Sequence, residues 1–354
     1  DVIGRNVEIR MTILNNTQYD QGVIIMARES LKEQLSKGQV FCPCVWGCFS
    51  ALAAEKTGFQ SALLSGASLS VDICGLPDIG LITADDLVKG TEALARYTDL
   101  PIIVDADDGY GETPLHAYRL AKRLQMAGAQ GMSVDDTTGT RGFERFFLAM
   151  RERKEHIPHP VVDREVWLAK LKAAIEATKG TNFLVIARTE AKIQYGLEEA
   201  LIRARLAREV GAEMTMIIGI TTEEEAEIVS REDPGWKMWP DVMSRNGIPD
   251  VELEKLEELG FNLVTMHVFE KGALAGMVDF GLHTIKERNT VYHDTFVPQV
   301  IPGGFNEAQV APVMHWLEEE AHYNKAAAEA IERYHTKNDL KRQKKCFRKG
   351  VQHE

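Results

Sequence analysis

Short apolar runs alternate along the chain with longer amphipathic stretches. A run of four to seven apolar residues that ends in small or charged residues is typical of a buried strand. Glycines precede several of these runs, in the position where a helix ends with a positive φ. The predicted strands lie at about 40–46, 61–66, 101–107, 131–136, 183–189, 214–219, 237–242 and 263–267. We therefore predict a parallel sheet covered by helices, which is the α/β class.

The number of strand and helix units indicates a closed barrel. The stretch 84–97 places Leu87, Thr91 and Leu94 on one helical side, and 197–210 has a similar pattern. Eight such units favour a (β/α)8 TIM barrel over an open doubly wound sheet, and no glycine-rich dinucleotide fingerprint supports the open alternative.

Two segments fall outside the predicted barrel domain, which we place at 39–304. The N-terminal extension, 1–38, is predicted to carry an extra helix at Val23–Ser36. The C-terminal part, 305–354, is predicted to form one long helix followed by a basic tail.

Composition excludes some classes of partner. The 354 residues carry a net charge of −12, which argues against nucleic acid or an anionic membrane surface as the main partner. No apolar run is long enough for a transmembrane helix. The five cysteines lack a second cluster with zinc-like spacing, so we expect reduced thiols and a cytoplasmic location.

The most informative stretch is 102–111, in which a short apolar run ends in three acids and two glycines. Side chains alternate along a strand, so Asp105 and Asp107 are predicted to leave its end on the same face. Two such carboxylates suit Mg²⁺, with Mn²⁺ as an alternative. The competing interpretation is an acidic turn in which one aspartate caps the next helix.

In a TIM barrel the active site lies at the C-terminal ends of the strands. Arg188 would supply a cation there, and Ser65 and Gly66 would offer main-chain N–H groups to a carboxylate. Carboxylates for a metal ion together with an anion site suit an enzyme that stabilises an enolate. The residues predicted at these ends are Trp46, Ser65, Gly66, Ala67, Asp105, Asp107, Asp135, Arg188, Asp241 and His267.

Four ordered motifs resemble the isocitrate lyase and phosphoenolpyruvate mutase superfamily, over about 39–285. The segment 45–58 resembles its opening segment, and Leu64–Gly66 with Gly75–Asp78 resembles its Ser-Gly loop and Gly-Leu-Pro-Asp segment. Val104–Gly111 resembles its metal motif, and 186–191 resembles its Ala-Arg-Thr-Asp-Ala strand.

The resemblance implies roles for individual residues. Asp107 would hold Mg²⁺ directly or through water, Asp105 would assist through water, and Asp135 would replace a family glutamate. Arg188 would bind substrate oxygens and take part in catalysis. The other residues expected to contact a small carboxylate substrate are Trp46, Ser65, Gly66, Ala67, Asp78 and Asp241. The resemblance also implies a homo-oligomer, a dimer or tetramer, that exchanges the C-terminal helix between subunits.

The proton-donor half of the site departs from the family. The superfamily's lyases carry a Lys-Arg-Cys-Gly-His gate after the fourth strand, but this chain has 137–145 without Cys, His or Asn. Arg141, Glu144 and His267 are the possible replacement donors, and we take Glu144 as the catalytic choice. His267 is also open to a purely structural reading, as a strand-end residue with its hydrogen bonds satisfied.

Three functional hypotheses follow. The first is a Mg²⁺-dependent carbon–carbon lyase acting on a small 2-oxo or 2-hydroxy carboxylate, by decarboxylation of oxaloacetate or cleavage of a substituted malate. The second is phosphonate chemistry, as a mutase or a phosphonopyruvate hydrolase. The third is a catalytically silent relative that binds a metabolite, because a scaffold can be kept without its activity.

Overall fold

The computed structural model of the protein describes residues 29–138, 160–245, 248–300 and 313–333. Eight parallel strands close into a barrel in which each strand pairs with the next along the chain and the last pairs with the first. The strands are β1 Val40–Val45, β2 Ala62–Leu64, β3 Ile102–Asp105, β4 Gly131–Val134, β5 Leu184–Thr189, β6 Met214–Ile217, β7 Trp236–Trp239 and β8 Phe261–Met266. The predicted (β/α)8 TIM barrel is confirmed.

Helices separate the strands and cover the outside of the barrel. Those that we label are α1 Leu31–Lys37, α2 Cys48–Thr57, α3 Ala84–Tyr97, α4 Pro114–Met126, α5 Arg164–Ala177, α6 Leu197–Glu209, α7 Glu223–Glu232, α8 Leu253–Glu258, α9 Phe269–Glu287, α10 Val291–Val300 and α11 Val313–Tyr323. The helix predicted at 84–97 has those bounds. It begins where Thr83 and Asp86 form a capping box, which satisfies main-chain N–H groups at its first turn.

Helix α1 seals the N-terminal end of the barrel. Leu31 and Leu35 are fully buried and pack against the apolar side chains inside the barrel. The predicted helix Val23–Ser36 was wrong at its start, because residues 29 and 30 are not helical. Ser30 and Glu33 form a capping box that starts the helix at Leu31.

The apolar core has an inner and an outer layer. Inside the barrel, side chains from alternate strand positions, such as Leu63, Ile103 and Met214, fill the space between the strands. Outside it, a second layer lies between the strands and the covering helices, with Trp167 of α5 fully buried. In the described part of the chain, side chains therefore fill the space between the strands, so that a substrate would bind at an end of the barrel and not inside it.

The C-terminal helices differ from the single long helix predicted for 305–337. Helix α11 ends at Tyr323, and a further helix spans 325–333. Asn324 interrupts the two, and its side-chain oxygen accepts a hydrogen bond from the N–H of Ala326. An asparagine suits such a helix start better than a helix interior. Over the described ranges, none of the helices combines the length and apolarity that a membrane span requires.

Candidate active site

The acids after β3 lie in a tight turn at the C-terminal end of the barrel. The strand ends at Asp105, and Asp107 takes a left-handed conformation with a φ of 44°. The expectation that the two side chains share a strand face by alternation was therefore wrong in its geometry. The N–H of Asp135 donates to the carbonyl oxygen of Asp107 at 2.7 Å, which helps to hold this strained turn.

The Asp107 carboxylate meets the loop that follows β2. One of its oxygens accepts a hydrogen bond from the Tyr110 hydroxyl at 3.0 Å. A methyl group added to Gly66 would lie 4.0 Å from the other oxygen and 3.7 Å from the carbonyl oxygen of Asp105. The main chain at Gly66 thus lies next to the acids, as the sequence predicted.

Arg188, near the end of β5, reaches across the mouth of the barrel to Asp105. Its Nη1 donates to both Asp105 carboxylate oxygens, at 3.1 and 3.2 Å, and its Nη2 donates to Glu190. The Ser133 hydroxyl donates to the same Asp105 carboxylate at 3.0 Å. The Nε of Arg188 is buried and has no hydrogen-bond partner among the described residues. Because a buried N–H without a partner is costly, this atom is a candidate donor to a substrate oxygen, a role that stays a prediction.

The charge of Arg188 is secured by its neighbours. Burial opposes that charge, but the carboxylates of Glu190, Asp105 and Asp135 outweigh it and raise the pKa of Arg188 well above its usual value. Asp135 is therefore close enough to act on the guanidinium, although no hydrogen bond between the two is seen.

The adjacent acids Asp135 and Asp136 have different surroundings. Asp135 accepts hydrogen bonds from the N–H and the hydroxyl of Thr137, at 3.0 and 2.6 Å. Asp136 accepts from the hydroxyl of Thr189 at 2.5 Å and from Arg203 at 3.2 Å. Burial raises the pKa of Asp136 to about 6 against the effect of these bonds. Asp136 thus joins β4, β5 and α6, and Asp135 remains the one of the two that acts on Arg188.

The loop after β2 offers main-chain N–H groups at the start of a short helical stretch, 66–73. The Ser65 hydroxyl accepts a hydrogen bond from the N–H of Ser68 at 3.2 Å, and Ser65 itself is buried. Ala67 and Trp46 are only partly buried. Asp78 lies half-buried in the loop that follows, and a role for it in substrate binding stays a prediction.

On the opposite side of the mouth, Asp241 pairs with His267. The carboxylate lies 3.2 Å from the imidazole Nδ1 and also accepts the His267 N–H at 3.3 Å. The hydrogen bond with Asp241 raises the pKa of His267 despite burial, and the charges of Asp241, Glu270 and Asp105 add to the effect. Asp241 is thus joined to a histidine in the structure, and its contact with substrate stays a prediction.

The structure brings Asp105, Asp107, Asp135, Arg188 and Gly66 together. Glu144, like Arg141, lies outside the described residues, so its catalytic role stays a prediction. The sequence reasoning missed Ser133, Tyr110 and Glu190. A serine inside the apolar strand β4 was a usable signal for the first of these, because a polar residue facing a barrel interior needs a partner.

The acids at this end fit a hard divalent cation held partly by water. Within the described ranges, no three His, Cys, Asp or Glu side chains lie close enough to bind one ion directly. Asp107 and Asp135 supply carboxylate oxygens, and Asp105 already accepts from Arg188. Mg²⁺ suits such a set, because it takes oxygen ligands and usually keeps several waters.

The fold and the site define a (β/α)8-barrel enzyme with an acidic mouth and a buried arginine. The chain belongs to the phosphoenolpyruvate phosphomutase family, whose model matches residues 30–277. The resemblance to the wider superfamily, predicted from the motifs, is confirmed.

Named relatives and solved structures agree with this assignment. The chain is 31% identical to the petal death protein of Dianthus caryophyllus over 78% of its own length and 85% of that protein. It is 31% identical to a probable 2-methylisocitrate lyase of Corynebacterium glutamicum, over 69% and 77% of the two chains. A 2,3-dimethylmalate lyase structure matches 84% of this chain and 99% of its own with a TM-score of 0.70 at 23% identity, which shows the shared fold.

Proposed function

We propose that this protein is a Mg²⁺-dependent lyase that cleaves a carbon–carbon bond of a small 2-oxo or 2-hydroxy carboxylate. The observation that carries the proposal is the buried Arg188 beside Asp105, Asp107 and Asp135, whose Nε has no hydrogen-bond partner in the part of the chain that the structure describes. Several relatives are named for reactions on such compounds, including a 2,3-dimethylmalate lyase of Eubacterium barkeri and an oxaloacetate decarboxylase of Rhodopseudomonas palustris.

The residues of the mouth suit a substrate with a carboxylate next to an oxygen-bearing carbon. The main-chain N–H groups at Ser65 and Gly66 would bind the carboxylate, and Arg188 would donate to a substrate oxygen. Trp46, partly buried at the end of β1, would cover the planar part of the substrate. When bound by Asp107 and Asp135, Mg²⁺, or Mn²⁺ in its place, would polarise the C2 oxygen and stabilise the negative charge that develops during cleavage.

Both reactions in this class leave an electron pair on the same carbon. In a 2-oxo acid such as oxaloacetate, the C3–C4 bond breaks, CO2 leaves and the pair remains at C3. In a substituted malate, the C2 hydroxyl gives its proton to a base, the C2–C3 bond breaks as C2–O becomes a carbonyl, and the pair again remains at C3. Arg188 stabilises the adjacent oxygens in either case, and a separate group must protonate C3.

A substrate panel tests the proposal. Oxaloacetate, dimethylmalate, methylisocitrate and phosphonopyruvate would each be followed by proton NMR, with Mg²⁺ or with EDTA. Asp107→Asn should lose turnover, whereas Asp85→Asn, an exposed aspartate of α3 paired with Arg123, should retain it. An enzyme-free sample corrects for the spontaneous decay of oxaloacetate.

Each outcome assigns a function. Metal-dependent turnover of a carbon–carbon substrate that Asp107→Asn loses supports the proposal. Turnover of phosphonopyruvate alone would replace it with carbon–phosphorus chemistry. Absence of turnover in every sample, with wild type and Asp107→Asn indistinguishable, would favour the silent, metabolite-binding alternative.

We also propose that the protein is a homo-oligomer, a dimer or tetramer. Helix α9 follows the last barrel strand, yet none of its residues is buried, and Leu274, Met277, Leu282 and Ile285 are all more than half exposed. A helix with this much apolar surface requires a partner. Exchange of the C-terminal helix between subunits stays a prediction, and the exposed surface of α9 is a second candidate for the interface.

Light scattering tests the assembly. Leu282→Glu together with Ile285→Glu should lower the molar mass relative to wild type, and Lys271→Glu, an exposed polar position of the same helix, should not. A monomeric wild type would contradict the proposal.

A further inference from the structure

A histidine–carboxylate pair lies across the mouth from Arg188. His267 directly follows β8, and Asp241 follows β7 by two residues. Asp241 accepts both the imidazole Nδ1–H, at 3.2 Å, and the main-chain N–H of His267, at 3.3 Å. The indole N–H of Trp239 donates to the carbonyl oxygen of Asp241 at 3.0 Å and fixes this segment. The imidazole is therefore held through its Nδ1 and the main chain of His267 through its N–H, which leaves Nε2 as the ring nitrogen for a substrate.

Two further acids lie near the pair. Glu270, at the start of α9, and Asp105, at the end of β3, both act with Asp241 to raise the pKa of His267. One Glu270 oxygen accepts the hydroxyl hydrogen of Ser68, and the other is buried without a partner among the described residues. These charges favour the imidazolium, which is the form that a proton donor needs.

Asp105 connects His267 to the rest of the site. It binds Arg188 through both of its oxygens and lies near enough to His267 to influence its charge. The thiol of Cys44, at the end of β1, has its pKa raised by burial and then by Cys42, Glu270, Asp241 and Asp105. The three acids therefore border one space at the end of the barrel, with His267 on one side and Arg188 on the other.

The thiols near this space are poor proton donors. Cys42 and Cys44 are buried inside the barrel. Burial raises the pKa of the Cys42 thiol to about 12. A donor that works near neutral pH needs a pKa close to that pH, which an imidazolium satisfies and these thiols do not.

We propose that His267 is the general acid of the reaction, an inference that rests on the proposed lyase function. The electron pair left at C3 after bond cleavage takes the proton from Nε2, so that a C3–H bond forms as the Nε2–H bond breaks. The imidazole becomes neutral and recovers its proton from water before the next turnover. Asp241 is a positioning residue, because it orients the ring and favours the charged form without contacting substrate.

The kinetic test uses whichever panel substrate the wild type turns over. His267→Asn should lower kcat by roughly 10²- to 10⁴-fold, the usual contribution of a general acid, with KM changed only a few-fold. In wild type, kcat should fall as the pH rises through the pKa of His267, because the donor loses its proton. His267→Asn should remove this alkaline decline, and Asp241→Asn should move it to lower pH, because the imidazolium loses its acceptor.

His283→Asn is the matched control. His283 also pairs with a carboxylate, at 3.0 Å from Glu287, but it lies on α9 away from the barrel mouth. It should keep the wild-type kcat and pH profile. Circular dichroism checks that each variant is folded. If His267→Asn does not fold, the pH profile of Asp241→Asn decides whether His267 is the general acid.

The outcomes separate this proposal from the function on which it rests. Turnover that is lost in Asp107→Asn but unchanged in kcat and pH profile in His267→Asn would overturn the role of His267 and leave the lyase function standing. An unshifted profile in folded Asp241→Asn would also overturn it. Wild type without turnover of any panel compound would overturn both.

Discussion

Replacement of Arg188 by lysine separates the substrate-binding role of this residue from its structural one. The guanidinium donates to Asp105 and Glu190 and presents a third group, Nε, for which the described segments provide no partner. Its side chain is 13% exposed, and those of the two acids are 16% and 4% exposed. Lysine keeps one positive charge between the acids but cannot reproduce the planar fork or the Nε–H.

The magnitude follows from the contacts that are lost. A hydrogen bond to a charged partner contributes about 1.5–3 kcal/mol, so loss of the Nε contact with substrate should lower kcat/KM by roughly ten- to hundred-fold. Removing the charge altogether leaves the carboxylates of Asp105 and Glu190 without their cation, so Arg188→Met should lower the free energy of unfolding by about 3–5 kcal/mol. Arg188→Lys should lower it much less.

The assay measures kcat/KM and urea unfolding for each variant. Arg208→Lys is the control, because Arg208 is also a largely buried arginine, paired with Asp233 before β7 at the other end of the barrel. It should lose stability as Arg188→Lys does while keeping its activity per folded molecule. If Arg188→Lys retains wild-type kcat/KM within about threefold, less than the contribution expected of one such bond, Arg188 does not contact substrate through Nε.

Three further predictions concern stability, each checked by urea unfolding. Gly128→Ala should destabilise the fold by about 2–4 kcal/mol, because φ at Gly128 is 100° and the new Cβ would lie 2.7 Å from the Cβ of Ala95. Gly180→Ala is the control and should lose only about 1 kcal/mol, because φ is 79° but there is open space for the new Cβ. Equal losses of stability in the two variants would contradict the predicted clash. Trp167→Phe should lower the free energy of unfolding by about 1–3 kcal/mol, because the buried carbonyl oxygen of Val134 loses the indole N–H that donates to it at 3.1 Å. An unchanged unfolding midpoint would refute this. The hydrogen bond with Asp241 raises the pKa of His267 above 6.5. The free energy of unfolding that wild type gains over His267→Asn should therefore be fully present below that pH and be lost as the pH rises through the raised pKa. A gain that becomes larger from about pH 5.5 to about pH 8.5 would show the opposite sign and refute this.

The sequence sufficed for the barrel because its strands are short apolar runs separated by amphipathic helices. That pattern depends on local periodicity, which one chain displays directly. The ends of the strands could be predicted from the same pattern, and with them the position of Arg188 at the end of the barrel that carries the acids. Their bidentate contact was beyond reach, because 83 positions separate them and only the closure of the barrel brings them together.

Prediction from the sequence failed where the main chain leaves regular strand or helix geometry, and where the partner of a side chain is distant along the chain. Strand alternation was extended to Asp107, although the chain turns into a left-handed conformation there. His267 was open to a structural reading because Asp241 lies on another strand end. The helix predicted at Val23–Ser36 ran through Ser30, although Ser30 and Glu33 form the capping box at which the helix begins.

The local charge balance supports both a divalent cation and a protonated histidine at the mouth. Asp136 does not count toward this charge balance, because Arg203 neutralises it within the layer of helices. Three described carboxylates, those of Glu190, Asp105 and Asp135, act on the guanidinium, and Asp107 lies in the same turn as Asp105. Four negative charges therefore oppose one positive charge, and a dicarboxylate substrate would add to the excess. Binding such a substrate therefore requires further positive charge, which a cation at the Asp107 side and an imidazolium at the Asp241 side would supply on opposite edges of the site. The residues in this balance are Asp105, Asp107, Asp135, Glu190, Arg188 and His267.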